Sequence, residues 1–149
     1  MRTYSYILLT VLLCIGSGMR AVAQSGPMEG LVGSWTLDYG TTFSNMEGQR
    51  KAALDTVPQA QRTGIENSYR GRTMVFGPDG SFRMQFLDGR SVGGRWSLEQ
   101  DGSMLVLTDP NGHRYPHRVK GLTANGLVLR AEDLGEGELF VKELYFIKN

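Results

Sequence analysis

Residues 81–87 read Ser-Phe-Arg-Met-Gln-Phe-Leu, so that Phe82, Met84 and Phe86 alternate strictly with Ser81, Arg83 and Gln85. A period of two sends alternate side chains to opposite faces of an extended chain. One buried face and one wet face is the condition of a strand in an antiparallel sheet. The same period recurs in "RTMVFG", with Met74 and Phe76, and in "GRWSLE", with Gly94, Trp96 and Leu98. "SMLVLTD", "GLVLRA" and "ELFVKELYFIKN" add apolar runs of strand length. Between the runs stand Pro78-Asp79-Gly80, Asp88-Gly89, Asp101-Gly102, Pro110-Asn111-Gly112 and Asn125-Gly126. These steps suit tight hairpins, because glycine reaches the positive φ that such turns need.

The pattern predicts eight strands, near 31–38, 72–77, 81–87, 92–99, 103–108, 113–120, 126–131 and 138–148. Pro116 removes a ladder donor and marks its strand for an edge or a bulge. The fold class is therefore all-β and antiparallel. Eight such strands leave unpaired edges unless the sheet closes. An eight-stranded barrel is either filled by its own side chains or holds one small ligand. One stretch departs from the pattern. Residues 44–71 lack alternation, and Met46, Ala53, Leu54 and Val57 share a helical face, with Ser44 or Asn45 as N-cap. Pro58 interrupts, and Gln59–Asn67 follows as a second short helix. The layout is a strand, a helical excursion between strands 1 and 2, and seven strands in hairpin succession.

The first 23 residues carry Arg2, an apolar stretch from Tyr6 to Ile15, and Ala21-Val22-Ala23 before Gln24. That is the plan of a secretory signal peptide cleaved after Ala23, leaving 24–149 as one domain in the periplasm or outside the cell. The apolar run is too short for a stable bilayer anchor, so no membrane insertion is expected after cleavage. The one cysteine, Cys14, departs with the leader. The domain then has neither a disulfide nor a thiol nucleophile. The whole chain has a formal charge of +1, and losing Arg2 and Arg20 takes the domain to about −1. Such a balance gives no electrostatic case for nucleic acid.

Near the start of the domain, "LVGSWTLD" resembles the Gly-x-Trp signature of the lipocalin and wider calycin group. "FGPDGSFRMQF", "GGRWSLEQDGSMLVLTD" and the late "GLVLR" are similar to small exported bacterial lipocalin-like domains, and the likeness spans about residues 30–148. The resemblance implies that Gly33 permits close packing and that Trp35 plugs the closed end of a barrel. It also implies a basic residue from the last strand across that tryptophan, for which Lys148 is in place. The Thr-Asp-Tyr motif of the core lipocalins is absent, which puts the chain with the looser lipocalin-like group. Trp96 sits in a second Gly-x-Trp-x-Leu copy, whose three residues share a strand face. Both tryptophans are expected to point inward.

No catalytic constellation stands out: there is no G-x-S-x-G, no H-E-x-x-H and no glycine-rich phosphate loop opening a helix. His113 and His117 are the only histidines. On a strand they stand roughly 13 Å apart, too far to share one ion, so no metal is expected and both fall at the surface or the barrel mouth. The chain is read as a binding protein for a small hydrophobic or amphipathic molecule, with no cofactor and no enzymatic activity. Met74, Phe76, Phe82, Met84, Phe86, Trp96, Leu98 and Tyr115 are the candidate wall. Arg72 shares the parity of Met74 and stands ready for a ligand carboxylate at the mouth. The rival reading is a filled barrel that acts through its surface as a structural or interaction domain of the cell envelope.

Overall fold

The computed structural model describes residues 26–132 and 141–149. Eight strands are formed: β1 (Gly33–Leu37), β2 (Thr73–Phe76), β3 (Ser81–Gln85), β4 (Ser91–Glu99), β5 (Met104–Thr108), β6 (Arg114–Leu122), β7 (Gly126–Ala131) and β8 (Glu143–Lys148). Each pairs antiparallel with the next, and β8 returns to β1, so the sheet closes into a barrel with no free edge. The expected start of the last strand, 138–140, lies outside the described residues, as does the expected leader.

Register sets which side chains meet inside. Phe76 faces Phe82, Met74 faces Met84, Trp96 faces Leu107 and Leu98 faces Leu105. Gly94 is opposite Phe82, and a Cβ there would come within 2.0 Å of the Thr108 carbonyl oxygen and 2.9 Å of the Phe82 ring. Only glycine lets β4 pass so close to its neighbours. Pro116 does not make β6 an edge: the irregularity falls between Val119 and Gly121 instead. A residue's nitrogen and carbonyl point to the same neighbour, and the Pro116 carbonyl accepts from Glu132 N, just past the end of β7. The missing donor thus faces a place where the ladder has already run out.

One end of the barrel is sealed by α1 (Pro27–Leu31), which the alternation pattern gives no sign of. Leu31 is fully buried, and its carbonyl accepts the Trp35 indole N–H at 2.8 Å. Lys148 lies opposite Trp35, its Nζ 5.0 Å from the ring centroid and 3.2 Å from the Gly30 carbonyl to which it donates. Gly33 adopts φ 132°, and a Cβ there would press to 3.0 Å from Lys148 Cε. Trp96 packs edge-on against Phe76 at 5.6 Å and donates to the Gly77 carbonyl at 3.0 Å. Both tryptophans fill the closed half, with their single polar atoms satisfied.

The helical excursion lies at the other end, between β1 and β2. It comprises α2 (Tyr39–Ser44), α3 (Gly48–Thr56) and α4 (Gln59–Tyr69). The expected N-cap at Ser44 or Asn45 is corrected: Ser44 ends α2 and Asn45 is its C-cap. The cap of α2 is Asp38, at the very end of β1, whose carboxylate accepts the Thr41 backbone N–H at 3.0 Å and the Thr41 hydroxyl at 2.6 Å. An aspartate placed there starts the helix six residues before the apolar periodicity shows it. Met46 falls between α2 and α3, outside either helix. Pro58 caps α4, whose fixed φ suits a helix start.

An apolar cavity at the open end

The barrel is packed at the end holding Trp35 and hollow at the end holding the helices. The hollow is a cavity of about 590 Å³. Met74 from β2, Phe82 and Met84 from β3, and Leu107 from β5 form one side of its wall, and Leu129 from β7 and Leu144 from β8 form the other. Tyr69, the last residue of α4, lines it from the helical excursion, and Arg72 lines it from the chain entering β2. Exposed Val92 and Tyr115 stand at its rim beside Pro110 and Asn111 of the β5–β6 turn.

Five of the side chains selected from the sequence therefore share this cavity: Arg72, Met74, Phe82, Met84 and Tyr115. Phe76, Phe86, Trp96 and Leu98 do not line it, and their expected place on the wall is corrected. Phe76 and Trp96 point inward but occupy the level below, against each other. Leu98 packs against the core cluster beyond them. Phe86 follows β3, and its half-buried ring is flanked by Arg72 and Arg90, whose guanidinium carbons lie 5.3 and 5.1 Å from its centroid.

Two further positions on the wall are polar. His117 shares the inward parity of Tyr115 and lines the cavity. Asp109 directly follows β5 and lies at the rim. The Leu107, Leu129 and Leu144 positions lie in apolar runs, where parity alone leaves the inward set open.

The polar groups are few and differ in state. Arg72 donates through Nε at 3.0 Å and Nη2 at 2.7 Å to the Ser68 carbonyl, and its guanidinium carbon lies 4.5 Å from the Tyr69 ring centroid. Among the described residues it has no carboxylate partner. Burial lowers its pKa, partly offset by Tyr69, and burial raises that of Tyr69. His117 Nδ1 meets the Tyr115 carbonyl at 2.9 Å. Burial holds the ring below its ordinary pKa of 6.5, with the nearby Arg72 charge acting in the same direction and the Tyr115 carbonyl against it. The neutral ring donates from Nδ1 to that carbonyl and leaves Nε2 as an acceptor.

Asp109 is fully engaged. Its Oδ1 accepts from Asn111 N at 2.8 Å and His113 N at 2.9 Å, and its Oδ2 lies 3.2 Å from His113 Nδ1 and 3.3 Å from the Tyr115 hydroxyl. Partial desolvation pushes its pKa up, but the hydrogen bonds from His113 and Asn111 prevail and hold it below the usual carboxylate value. His113 is exposed and tied to Asp109, while His117 faces inward. Among the described residues no group of three or more His, Cys, Asp or Glu is placed to hold a metal ion.

No family model matches the chain. No curated protein matches it in sequence. Among solved structures it is similar to the crystal structure of a DUF4847 family protein from Bacteroides vulgatus, at 15% identity over 80% of this chain and 94% of that one, with a TM-score of 0.46.

Proposed function

We propose that this chain is a lipocalin-like binding module, exported to the periplasm or beyond, that holds a small hydrophobic or amphipathic molecule inside its barrel. The observation that carries the reading is the cavity of about 590 Å³ at the helical end. Small-molecule sites typically measure about 300–1,000 Å³ and are mostly apolar with a few placed polar groups. The wall has that chemistry: methionine, phenylalanine and leucine dominate, with Tyr69, Arg72, Ser91, Asp109, Asn111, Tyr115 and His117 as the polar part. Each buried methylene contributes roughly 0.8 kcal/mol, so about ten supply roughly 8 kcal/mol before ordering costs, which is micromolar affinity at best.

The lipocalin-like part of the reading is supported by the closed end, where Gly33, Trp35 and Lys148 are stacked. Export is supported by the leader plan of residues 1–23. No helix among the described residues is long and apolar enough to cross a membrane. We read the protein as a binder without turnover, because Asp109, the one carboxylate that lines the cavity among the described residues, is spent on four local contacts at the rim. The filled-barrel alternative is disfavoured by the same hollow, which its premise does not allow.

Native mass spectrometry of protein from its own host is expected to show a bound small molecule. A fluorescent fatty acid is expected to enter the cavity and to be displaced by it. Met84→Trp fills space beside Met74 and Leu107 and is expected to weaken dye binding at least tenfold. Unchanged affinity would remove Met84 from the wall. Absence of both a co-purified mass and dye uptake would sink the binding reading and leave the surface-acting barrel.

A further inference from the structure

Among the described residues the cavity lining holds two side chains with a basic nitrogen, which come from opposite sides of the barrel and stand in a mostly apolar wall. Arg72 enters at the head of β2, and His117 projects from β6, four strands away. The Arg72 guanidinium is anchored through Nε and Nη2 to Ser68 and flanked by the Tyr69 and Phe86 rings, which fixes it while leaving Nη1 without a hydrogen-bond partner among the described residues. The His117 ring is fixed through Nδ1 to the Tyr115 carbonyl, which leaves Nε2.

Resting on the reading that the cavity takes an amphipathic molecule, we propose that Arg72 and His117 together recognise the carboxyl headgroup of a single-chain amphiphile, and that binding takes up one proton. Arg72 donates to one headgroup oxygen. His117 Nε2 and the second oxygen share the proton: a carboxylate, a neutral imidazole and one proton from solvent give either the acid hydrogen-bonded to imidazole or the carboxylate paired with imidazolium. Both descriptions have the same atoms and the same charge. The headgroup carries one negative charge because the wall offers one fixed cation.

The other titratable groups around His117 do not compete for this proton. Its register partners on β5 and β7 are Leu105 and Ala131, which are uncharged. Tyr69 on α4 and Tyr115 on β6 have pKa values raised from 10.0, in both cases chiefly by burial, and stay neutral. Asp109 is held ionised by its own donors. Glu132 is paired with Arg118, whose parity puts it on the outer face. In the free protein His117 titrates below 6.5, since burial and Arg72 both disfavour its charge. An anion beside it reverses the Arg72 effect and raises the titration in the complex. Affinity for a carboxylate is then flat below the free pKa and falls about tenfold per pH unit above it, until the pKa of the complex is passed.

The test is calorimetry on the purified protein with dodecanoate and 1-dodecanol, each in two buffers of different ionisation heat at about pH 7.5. Dodecanoate is expected to bind with uptake approaching one proton, and dodecanol with none. His117→Gln, folded by circular dichroism, is expected to lose the uptake and the pH dependence, whereas His113→Gln keeps both. Arg72→Gln is expected to lose at least tenfold in dodecanoate affinity. Dodecanoate binding without uptake, or uptake that survives His117→Gln, overturns the headgroup assignment while leaving the cavity reading intact. If neither amphiphile binds, the binding reading itself has failed and this inference goes with it.

Discussion

Trp35 and Trp96 sit in the same Gly-x-Trp-x-Leu setting and solve the same problem. Each ring adds a large apolar area to the closed half, and each indole N–H would be costly if buried without an acceptor. Leu31 and Gly77 supply those acceptors through their carbonyls. Trp35 has the stronger claim to be the keystone, because it is fully buried and carries the Lys148 ammonium on its face. Trp35→Ala is expected to cost about 3–5 kcal/mol, the usual range for emptying so large a core site. Equilibrium denaturation in urea measures it. A loss under about 1 kcal/mol would show that the closed end does not depend on the ring.

Among the elements, the helical excursion joins the barrel through few but specific contacts. Thr42, almost fully buried, accepts the Tyr145 N–H of β8 at its hydroxyl. Tyr39, Phe43 and Tyr69 stack in sequence, with centroids 4.3 and 5.7 Å apart, and Tyr69 carries that cluster to the cavity. The excursion begins with the Asp38 cap, so Asp38→Ala is expected to cost about 1 kcal/mol at neutral pH. Hydrogen bonds from the Thr41 side chain and backbone hold the Asp38 carboxyl below its ordinary 3.8. A depressed folded pKa means stability present above the unfolded pKa and lost as pH falls through the folded one. The gap between parent and variant is thus expected to narrow in acid below about pH 4. Urea unfolding of both proteins at neutral pH and at low pH checks it, and a gap that stays constant would take the charge out of the cap's contribution.

At the scale of the molecule, one end is solid and the other hollow, and the same sheet makes both. Trp35, Trp96 and Phe76 consume the interior near α1, while the helical end has methionines, leucines and one half-buried arginine around open space. The proposed binding module would work where its ligand is, and the leader plan of residues 1–23 is the ground for proposing export. Protein recovered from its host's envelope or medium is expected to begin at Gln24, as N-terminal mass analysis would show. A diacylglyceryl group on Cys14 would instead make it a tethered lipoprotein.

Strand alternation is written into the chain because each residue's parity depends only on its neighbours. Phe82, Met84, Met74 and Arg72 could be assigned inward from that alone, and the Asp-Gly and Asn-Gly steps located the hairpins. Parity separates inside from outside but says nothing of height along the barrel axis. Height depends on the stagger between strands, and it is what lets Trp96 fill the space over Phe76 while Met84 faces a void. The run Met104–Thr108 makes the same point. Leu105 and Leu107 join the core, whereas Met104 and Val106, equally buried, share an outer hollow with the ion-paired Glu99 and Arg114. His117 likewise becomes part of a polar pair through closure of the sheet, since Arg72 is its neighbour across the barrel and not along the chain. Local periodicity follows from backbone geometry, but the meeting of distant side chains follows from register and closure, which involve the whole sheet at once.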